Sequence, residues 1–344
     1  MGVEKTKVLL PKQIKEAAEL LARGEVVAFP TETVYGLGAN ALNPEAVGRI
    51  FTAKGRPQDN PLILHCSGVE QVEPFTLEIP SAARLLMEHF WPGPLTLVLK
   101  KTGAVPLVVT AGLDTVAVRV PDHPVALSLL QEVNFPIAAP SANLSGRPSP
   151  TRAEHVLQDL GGRIAAVVDG GETGWGVEST VLDCTVQPFR VLRPGGVTVE
   201  ELQQLVDVTW DAIQELEAPR SPGMKYEHYA PNAEVFLVTG PGAAPKILEL
   251  SEPLLADGQK VGVMTWEERA ELYPALTVLP MGRAGDLSSL AHKLYHLLRA
   301  ADQLGLQVLF VEGVDEDHLG LAIMNRLRKA AKGRVISAGG EEEA

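Results

Sequence analysis

Hydroxyl-bearing, amide and basic side chains follow several apolar runs of this chain, where they could together hold an oxygen-rich anion. Residues 30–38 read Pro-Thr-Glu-Thr-Val-Tyr-Gly-Leu-Gly and follow the apolar run 26–29. Residues 54–57, Lys-Gly-Arg-Pro, add two cations, and Pro-Ser-Ala-Asn recurs at 140–143. Because open α/β sheets bind ligands beyond the ends of their strands, these segments predict a site for a ligand with several anionic oxygens.

Arg119 is the second chemical signal, because it lies in the otherwise apolar run 115–120. Residues four apart in a strand point to the same face, so Thr115 and Arg119 share one face. A buried guanidinium needs an anionic partner. The sequence leaves two partners open: a bound carboxylate or phosphate, or an acidic side chain in a structural salt bridge.

Each segment also has a purely structural interpretation. The hydroxyls of residues 31–33 could satisfy their own backbone in a turn, and residues 141–143 could form an Asx or Ser turn. Residues 54–56 could simply cap the end of a helix. Asn60 and His65 favour a functional interpretation, because a hydrogen-bond donor and an imidazole would flank the same sheet edge.

Motifs of other site types are missing from the sequence. It contains neither a Gly-x4-Gly-Lys-Ser/Thr loop nor a Gly-x-Gly-x-x-Gly that opens a helix. It also lacks zinc-ligand spacing and a Gly-x-Ser-x-Gly elbow. Covalent catalysis therefore has little support, and the residues favour catalysis by positioning and charge stabilisation.

Composition narrows the class of ligand and the compartment. The net charge of −13 argues against a general nucleic-acid surface and for a locally positive pocket that binds a small anion. No apolar run approaches the roughly 20 residues that a membrane span needs, and residues 1–7 lack the apolar core of a secretory signal. Cys66 and Cys184 each lie in an apolar run, which predicts two buried thiols and a cytoplasmic protein.

Hydrophobic periodicity predicts an α/β protein of two domains, as a length of 344 residues suggests. Strands are predicted at 26–29, 62–66, 95–99, 115–120, 137–139, 164–169, 179–183 and 190–192, with helices at 11–23, 44–54, 82–90, 124–131 and 152–160. Adjacent strands after residue 164 indicate antiparallel pairing and a mixed sheet. Further strands at 235–238, 261–265, 277–279 and 308–312 alternate with helices at 244–255, 266–272, 287–303 and 319–332. This second pattern is typical of a small doubly wound parallel sheet.

Taken together, these motifs resemble the threonylcarbamoyl-AMP synthase family (YrdC-like), in its long form with an extra C-terminal domain. The resemblance depends on Lys-x-Arg at 54–56, Ser-x-Asn at 141–143, the segment 30–37 and Ser-Pro-Gly-Met-Lys-Tyr at 221–226. It implies a YrdC-like catalytic domain over 8–204, with a twisted, open mixed sheet and helices. It also implies a small Rossmann-like parallel α/β domain over 233–340. For the linker over 205–232 the sequence leaves two roles open: a spacer between the domains, or a segment that covers the active site.

The resemblance implies a reaction in which L-threonine, bicarbonate or CO2, and ATP give L-threonylcarbamoyl-AMP and pyrophosphate. The product would pass to a complex that modifies the adenosine next to the anticodon of tRNA. We expect Mg²⁺ to accompany ATP, and we expect neither stable direct tRNA binding nor membrane association.

The resemblance also assigns residues to the substrates. The residues expected to contact threonine are Thr33, His65, Arg119, Ala139 through its backbone, and Ser179. Those expected to contact ATP are Arg56, Asn60, Thr115, Ser141, Asn143, Ser149, Arg193 and Tyr229. Lys54 and Arg56 are the expected catalytic cations, since they would stabilise the departing pyrophosphate. His65 is a candidate for taking the proton of the threonine ammonium group.

Two other functions remain open at this point. Hydrogenase-maturation carbamoyltransferases are similar in architecture and make a related carbamoyl-adenylate, although their zinc-finger and acylphosphatase-like regions are missing here. The second alternative is an RNA-binding module, which the net charge of −13 disfavours.

Overall fold

The structure is a computed structural model that describes residues 5–211 and 229–339. The chain divides into two compact units. Unit 1 consists of Met1–Ser145 and Ser149–Tyr226, and unit 2 of Gly146–Pro148 and Glu227–Ala344. Of the linker predicted at 205–232, residues 212–228 lie outside the described residues.

Unit 1 contains a mixed sheet of eleven strands. The strands are β1 (Lys7–Leu9), β2 (Val27–Phe29), β3 (Gly36–Asn40), β4 (Ile63–His65), β5 (Leu95–Lys100), β6 (Thr115–Arg119), β7 (Ile137–Ala139), β8 (Ala166–Val168), β9 (Thr180–Asp183), β10 (Phe189–Arg193) and β11 (Val208–Thr209). Their order across the sheet is β1-β8-β2-β3-β7-β4-β6-β5-β9-β10-β11. The predicted mixed sheet is therefore confirmed.

The helices of unit 1 separate most of these strands. They are α1 (Ile14–Ala22), α2 (Pro44–Lys54), α3 (Val69–Val72), α4 (Ser81–Phe90), α5 (Leu107–Thr110), α6 (Pro124–Val133), α7 (Ala153–Leu160) and α8 (Val199–Gln203), with 3-10 turns at Pro11–Gln13 and Glu73–Phe75. Within the described ranges, no helix combines the length and apolar character needed to cross a membrane. Both cysteine thiols are buried without a disulfide, as predicted, and burial raises the pKa of Cys66 to about 12.

Helix α2 delivers a basic residue to the sheet, and its ends are set locally. The Asn43 side chain accepts hydrogen bonds from the backbone N–H groups of Glu45 and Ala46, and Pro44 occupies the first turn. Gly55 ends the helix with a φ of 60°, which costs a glycine little. Lys54 is therefore the last residue of the helix and is held at a fixed point.

Strand β3 was not predicted. Its glycines explain why the sequence did not indicate a strand here and how the strand fits beside Phe29. A Cβ atom at Gly38 would lie 2.8 Å from Cε1 of Phe29 and 2.7 Å from Cγ2 of Ile137. A Cβ atom at Gly36 would lie 3.3 Å from the same phenyl ring. The ring of Phe29 thus packs against β3 in space that a larger side chain at position 36 or 38 would need. The rings of Phe29 and His65 are perpendicular to each other, with a centroid distance of 5.9 Å.

The prediction of some antiparallel pairing after residue 164 is confirmed. β9 and β10 are antiparallel neighbours, as expected from their closeness in sequence. β8, however, pairs in parallel with β1 and β2 rather than with β9. Its three residues are fully buried, and a parallel position in the sheet interior buries both faces of such a strand.

Unit 2 is a five-stranded parallel sheet flanked by helices, which confirms the predicted fold class. Its elements are β12 (Glu234–Thr239), α9 (Ala243–Ala256), β13 (Val261–Thr265), β14 (Thr277–Pro280), α10 (Leu287–Gln303), β15 (Val308–Glu312), α11 (Leu319–Ala330) and β16 (Val335–Ser337). The strand order is β14-β13-β15-β12-β16. The helix predicted at 266–272 is a 3-10 segment, Glu267–Leu272.

Candidate active site

Strand register places several predicted site residues on one face of the sheet of unit 1, called here the site face. Residues that pair directly across neighbouring strands point to the same face. His65 of β4 pairs with Arg119 of β6, and Ile63 of β4 pairs with Ala139 of β7. Because side chains alternate along a strand, Thr115 shares this face with Arg119.

The middle of the site face is apolar. One hydrophobic cluster consists of Ile63, Val98, Ala117, Val181 and Leu192. Ile63 pairs with Ala117 and Val98 pairs with the same alanine, so the cluster continues across β4, β6 and β5. Polar residues at the two ends of these strands are thus separated by an apolar floor, and a low-dielectric floor strengthens electrostatic interactions nearby.

Arg119 lies at one end of the site face and is held at every nitrogen of its guanidinium group. Nε donates to the carbonyl of Gly93 at 3.1 Å, and NH1 donates to Oγ1 of Thr33 at 3.1 Å. NH2 lies 2.5 Å from Oε1 of Glu32. A guanidinium has five N–H groups, so contacts with the described residues leave at least one on each terminal nitrogen for a ligand.

The sequence left open that hydroxyl groups of the turn at residues 31–33 satisfy their own backbone. This structural interpretation is correct for Thr31. Oγ1 of Thr31 donates to the carbonyl of Val34 and accepts from the backbone N–H of Thr33. The Thr33 hydroxyl accepts a hydrogen bond from NH1 of Arg119, and it also lies 2.9 Å from the hydroxyl of Thr31. The salt bridge that the sequence left open for Arg119 is also present, with Glu32, a residue to which no role had been assigned.

His65 lies beside Arg119 and is a weak base. Burial in the first place, and the charge of Arg119 in the second, lower the pKa of His65 to about 3. Its Nδ1 lies 3.3 Å from the carbonyl oxygen of Ile63. The imidazole is therefore neutral at pH 7 and can serve as a hydrogen-bonding group, but its low basicity disfavours the expected role as proton acceptor.

Lys54 organises the turn that follows β7. Its ammonium group donates to the carbonyl oxygens of Ser141 and Asn143, each at 2.5 Å. The Ser141 hydroxyl in turn donates to Oδ1 of Asn143 at 2.5 Å. The Lys-x-Arg and Ser-x-Asn motifs are thus in direct contact, and the ammonium group is fixed under the turn.

Arg56 organises the loop before β4 in a similar way. NH2 of Arg56 lies within hydrogen-bonding distance of the carbonyl oxygens of Asn60 and Pro61, at 3.4 and 3.2 Å. The Asn60 side chain is buried, and its Oδ1 has no hydrogen-bond partner among the residues that the structure describes. A buried amide oxygen normally has one, so Asn60 is a candidate for ligand contact.

A second polar group surrounds Ser179, immediately before β9. NH2 of Arg193 donates to the carbonyl and the hydroxyl of Ser179 at 2.9 and 3.2 Å. The Ser179 hydroxyl also lies 2.8 Å from Oγ1 of Thr96. The Ser149 hydroxyl donates to Oε1 of Glu178 at 2.6 Å. Glu178 is a second residue that the sequence interpretation missed, although it directly precedes Ser179.

Besides those around Ser179, predicted residues of unit 1 form two further groups. Lys54, Arg56, Asn60, Ser141 and Asn143 gather around the turn after β7 and the loop before β4. Thr33, His65 and Arg119 meet at the carboxyl ends of β4 and β6. Thr115 and Arg119 begin and end β6, so about 13 Å separate their Cα atoms along the strand.

Tyr229 is the predicted site residue that belongs to unit 2. It has a positive φ of 68°, and its ring stacks on that of Tyr295 at a centroid distance of 5.3 Å. The guanidinium carbon of Arg326 lies 5.7 Å from the centroid of the Tyr229 ring. Its contact with a nucleotide stays a prediction. Residues 225–228 of the predicted linker lie outside the described residues.

Known proteins are similar to this chain over nearly its whole length. Residues 19–195 match the protein family described as Telomere recombination, and residues 197–332 match the threonylcarbamoyl-AMP synthase C-terminal domain. The chain is 52% identical to the threonylcarbamoyl-AMP synthase of Bacillus subtilis and 50% identical to that of Pyrococcus abyssi. These alignments cover 94% of this chain and 94% and 95% of the relatives.

A solved structure gives the same result. The crystal structure of P. abyssi Sua5 complexed with L-threonine superposes with a TM-score of 0.92 at 47% identity, over 97% of this chain and 100% of that one. The two matched segments indicate the long, two-domain form, and so does the similarity over the full length. The chain belongs to the threonylcarbamoyl-AMP synthase family and is an enzyme of the nucleotidyltransferase type.

Proposed function

We propose that this enzyme condenses L-threonine, bicarbonate or CO2, and ATP into L-threonylcarbamoyl-AMP and pyrophosphate. Family membership supports the reaction, and the threonine complex of the P. abyssi relative supports the amino-acid substrate. The observation that carries the proposal is the site face itself. It has an arginine with unused N–H groups at one end, a turn organised by a lysine at the other, and an apolar floor between them.

At the Arg119 end, the guanidinium would bind the threonine carboxylate through one N–H of each terminal nitrogen, a geometry that suits arginine. The hydroxyl groups of Thr33 and Ser179 can contact the substrate. Ala139, whose backbone is a further expected contact, pairs with Ile63 on the site face. Neutral His65 can exchange a hydrogen bond with the threonine hydroxyl.

At the other end, Lys54 and Arg56 act through the backbone that they hold. Each directs its side-chain N–H groups to carbonyl oxygens, so each fixes a loop and places a positive charge beneath it. Asn60, Thr115, Ser141 and Asn143 would contact the nucleotide, with Ser149, Arg193 and Tyr229 as further expected contacts. Mg²⁺ would arrive with ATP as part of the substrate.

The proposed chemistry needs no nucleophile from the protein. The neutral amine of threonine attacks the carbon of CO2, so that a C–N bond forms, the electron pair of one C–O π bond moves to oxygen, and the proton of the amine passes to solvent water. An oxygen of the resulting carbamate attacks the α-phosphorus of ATP, and the bond from that phosphorus to the pyrophosphate oxygen breaks. The charges of Lys54 and Arg56 would offset the negative charge that develops on the departing pyrophosphate.

The proposed product is a mixed anhydride that a second enzyme would consume. Threonylcarbamoyl transfer to the adenosine next to the tRNA anticodon is the destination that the resemblance implies. We propose that a separate transfer complex performs that step, since the net charge of −13 does not favour stable tRNA binding by this chain.

The test is ATP–pyrophosphate exchange by the purified full-length protein without tRNA. We expect exchange only when L-threonine and bicarbonate are both present, and no stimulation by D-threonine. Mass spectrometry of the reaction should detect threonylcarbamoyl-AMP. Exchange that proceeds equally without threonine, or ATP turnover without this product, would contradict the proposal. The variant Glu73→Gln is a suitable control, because it changes only an exposed ion pair with Arg84.

A further inference from the structure

Glu32 is a buried carboxylate beside Arg119. It lies in the motif at residues 30–38, but neither the sequence nor the proposed mechanism assigns it a role. Only 7% of the residue is exposed, and its Oε1 lies 2.5 Å from NH2 of Arg119. It is therefore within reach of any molecule that Arg119 binds. Its position next to the arginine makes Glu32 either a structural partner of that arginine or part of the substrate site.

The hydrogen bonding of Glu32 is incomplete. Neither carboxylate oxygen receives a hydrogen bond from the described residues. Burying a carboxylate without hydrogen-bond donors is costly. Glu178, on the same unit, shows the usual arrangement, since its Oε1 accepts the Ser149 hydroxyl. A ligand that brings N–H donors would supply what Glu32 lacks.

The backbone holds Glu32 in this position. Its carbonyl oxygen accepts a hydrogen bond from the backbone N–H of Trp175 at 2.8 Å. The flanking turn is fixed by Thr31, whose hydroxyl bonds Val34, and by Thr33, whose hydroxyl bonds Arg119. The carboxylate is thus a fixed feature of the site rather than a side chain that turns to solvent.

We propose that Glu32 binds the α-ammonium group of the amino-acid substrate while Arg119 binds its carboxylate. This inference rests on the proposed function, which places the threonine carboxylate on Arg119. An α-amino acid carries its two opposite charges on substituents of one carbon. Two opposite protein charges in contact, on one buried face, are complementary to such a zwitterion, and Oε2 of Glu32 offers an acceptor to the ammonium N–H groups.

Ligands that lack one charge at a time test this arrangement. L-Threonine carries both charges, (2S,3R)-2,3-dihydroxybutanoate lacks the ammonium group, and L-threoninamide lacks the carboxylate. Their dissociation constants would be measured by calorimetry for the wild-type enzyme, Glu32→Gln and Glu32→Asp. Glu73→Gln serves as the matched control, as it removes a carboxylate from an exposed ion pair.

Loss of one hydrogen bond between charged groups is expected to weaken binding of L-threonine to Glu32→Gln by about 10- to 100-fold. The same variant should bind dihydroxybutanoate within about 3-fold of wild type, because that ligand has no ammonium group to lose. Threoninamide should follow threonine in its response to Glu32→Gln. Glu32→Asp, which keeps the charge, should recover part of the threonine affinity.

Equal weakening of threonine and dihydroxybutanoate would overturn the inference and leave Glu32 a purely structural partner of Arg119. Unchanged threonine binding by a folded Glu32→Gln would also overturn it. If Glu32→Gln does not fold, judged by its thermal unfolding, the decision rests on Glu32→Asp: selective loss of affinity for the two ammonium ligands supports the inference and equal loss overturns it. A wild-type enzyme that binds no threonine would defeat the proposed function, and this inference with it, whereas every other contrary result defeats the inference alone.

Discussion

Each of the two units buries a glutamate beside an arginine, but the two carboxylates have different surroundings. In unit 2, Glu312 ends β15 and is 1% exposed. Its Oε1 accepts the hydroxyl of Thr265 at 2.9 Å and that of Tyr273, and NH1 of Arg269 lies 2.8 Å from its Oε2. Two hydroxyl donors thus bind Oε1 of this carboxylate, while its Oε2 has the contact with Arg269 and no hydrogen bond from the described residues.

In unit 1, Glu32 is almost as well buried and also has one arginine contact, but neither of its oxygens receives a hydrogen bond from the described residues. Hydrogen bonds from the protein to a buried carboxylate rigidify a fold. A buried carboxylate without them costs stability, which a fold tolerates where a ligand supplies the missing bonds. The difference indicates a structural role for the network around Glu312 and a binding role for the pair formed by Glu32 and Arg119.

The largest expected effect is that of Arg119→Gln. It removes the proposed carboxylate contact and leaves Glu32 buried without its counter-charge, so we expect a loss of about 3–5 kcal/mol of stability. The kcat/KM for threonine should fall by at least about 100-fold. Calorimetric unfolding and pyrophosphate release measure the two effects. Retention of kcat/KM within a factor of three in a folded variant would make the pair in unit 1 as structural as that in unit 2.

Glu312→Gln should act on stability alone. Replacement of the carboxylate weakens two hydrogen bonds and the contact with Arg269, which predicts a loss of about 1–3 kcal/mol. Urea unfolding followed by the fluorescence of Trp266, which directly follows β13, would report it. Threonine affinity should stay at the wild-type value. A tenfold change in the dissociation constant for threonine would contradict the purely structural role assigned to Glu312.

His65 adds an acid sensitivity to the Arg119 end of unit 1. Its pKa is about 3 in the folded protein against an ordinary value of 6.5, so the unfolded state binds the proton more readily. Stability is therefore greatest above pH 6.5 and is lost as the pH falls toward 3, by at most about 1.4 kcal/mol per pH unit. Urea titrations at several pH values should show a shallower decline for His65→Gln. An identical pH dependence of both proteins would refute this assignment.

The smallest expected effect is that of Tyr273→Phe. Burial, followed by the hydrogen bond to Glu312, raises the pKa of the Tyr273 hydroxyl, so it stays a protonated donor at neutral pH. Its removal costs Glu312 one of two hydroxyl donors and should lower stability by about 1 kcal/mol. Thermal unfolding compared with Glu312→Gln measures the fraction of the network that this bond provides. A stabilised variant would indicate that the carboxylate is already satisfied without it.

Locally encoded parts of the fold could be predicted from the sequence. The bounds of α2 agree with the prediction because Asn43, Pro44 and Gly55 set its two ends through contacts within a few residues. β3 could not be predicted in the same way, since glycines disfavour strands. That strand exists because Phe29 packs over Gly36 and Gly38, which is a tertiary contact.

In the candidate site, too, the sequence predicts local features, whereas tertiary contacts determine the rest. Residue types and spacing named Arg119, His65 and Lys54, but not the atoms they contact. The sequence offered no means of seeing that Lys54 turns to the carbonyls of Ser141 and Asn143, residues far away in the chain. Pairing of Arg119 with Glu32 likewise depends on how β6 and the turn after β2 approach each other in the folded sheet.

The phenyl ring that lies over β3 limits how this enzyme could be engineered. A mutant library aimed at bulkier amino acids gains nothing at Gly38, because a Cβ atom there would lie 2.7 Å from Ile137 and 2.8 Å from Phe29. Gly36 leaves little more room, and displacing the phenyl ring would also disturb its contact with His65. Directed evolution of altered selectivity should therefore hold this aromatic–glycine contact constant and diversify other positions, such as Thr96 beside Ser179.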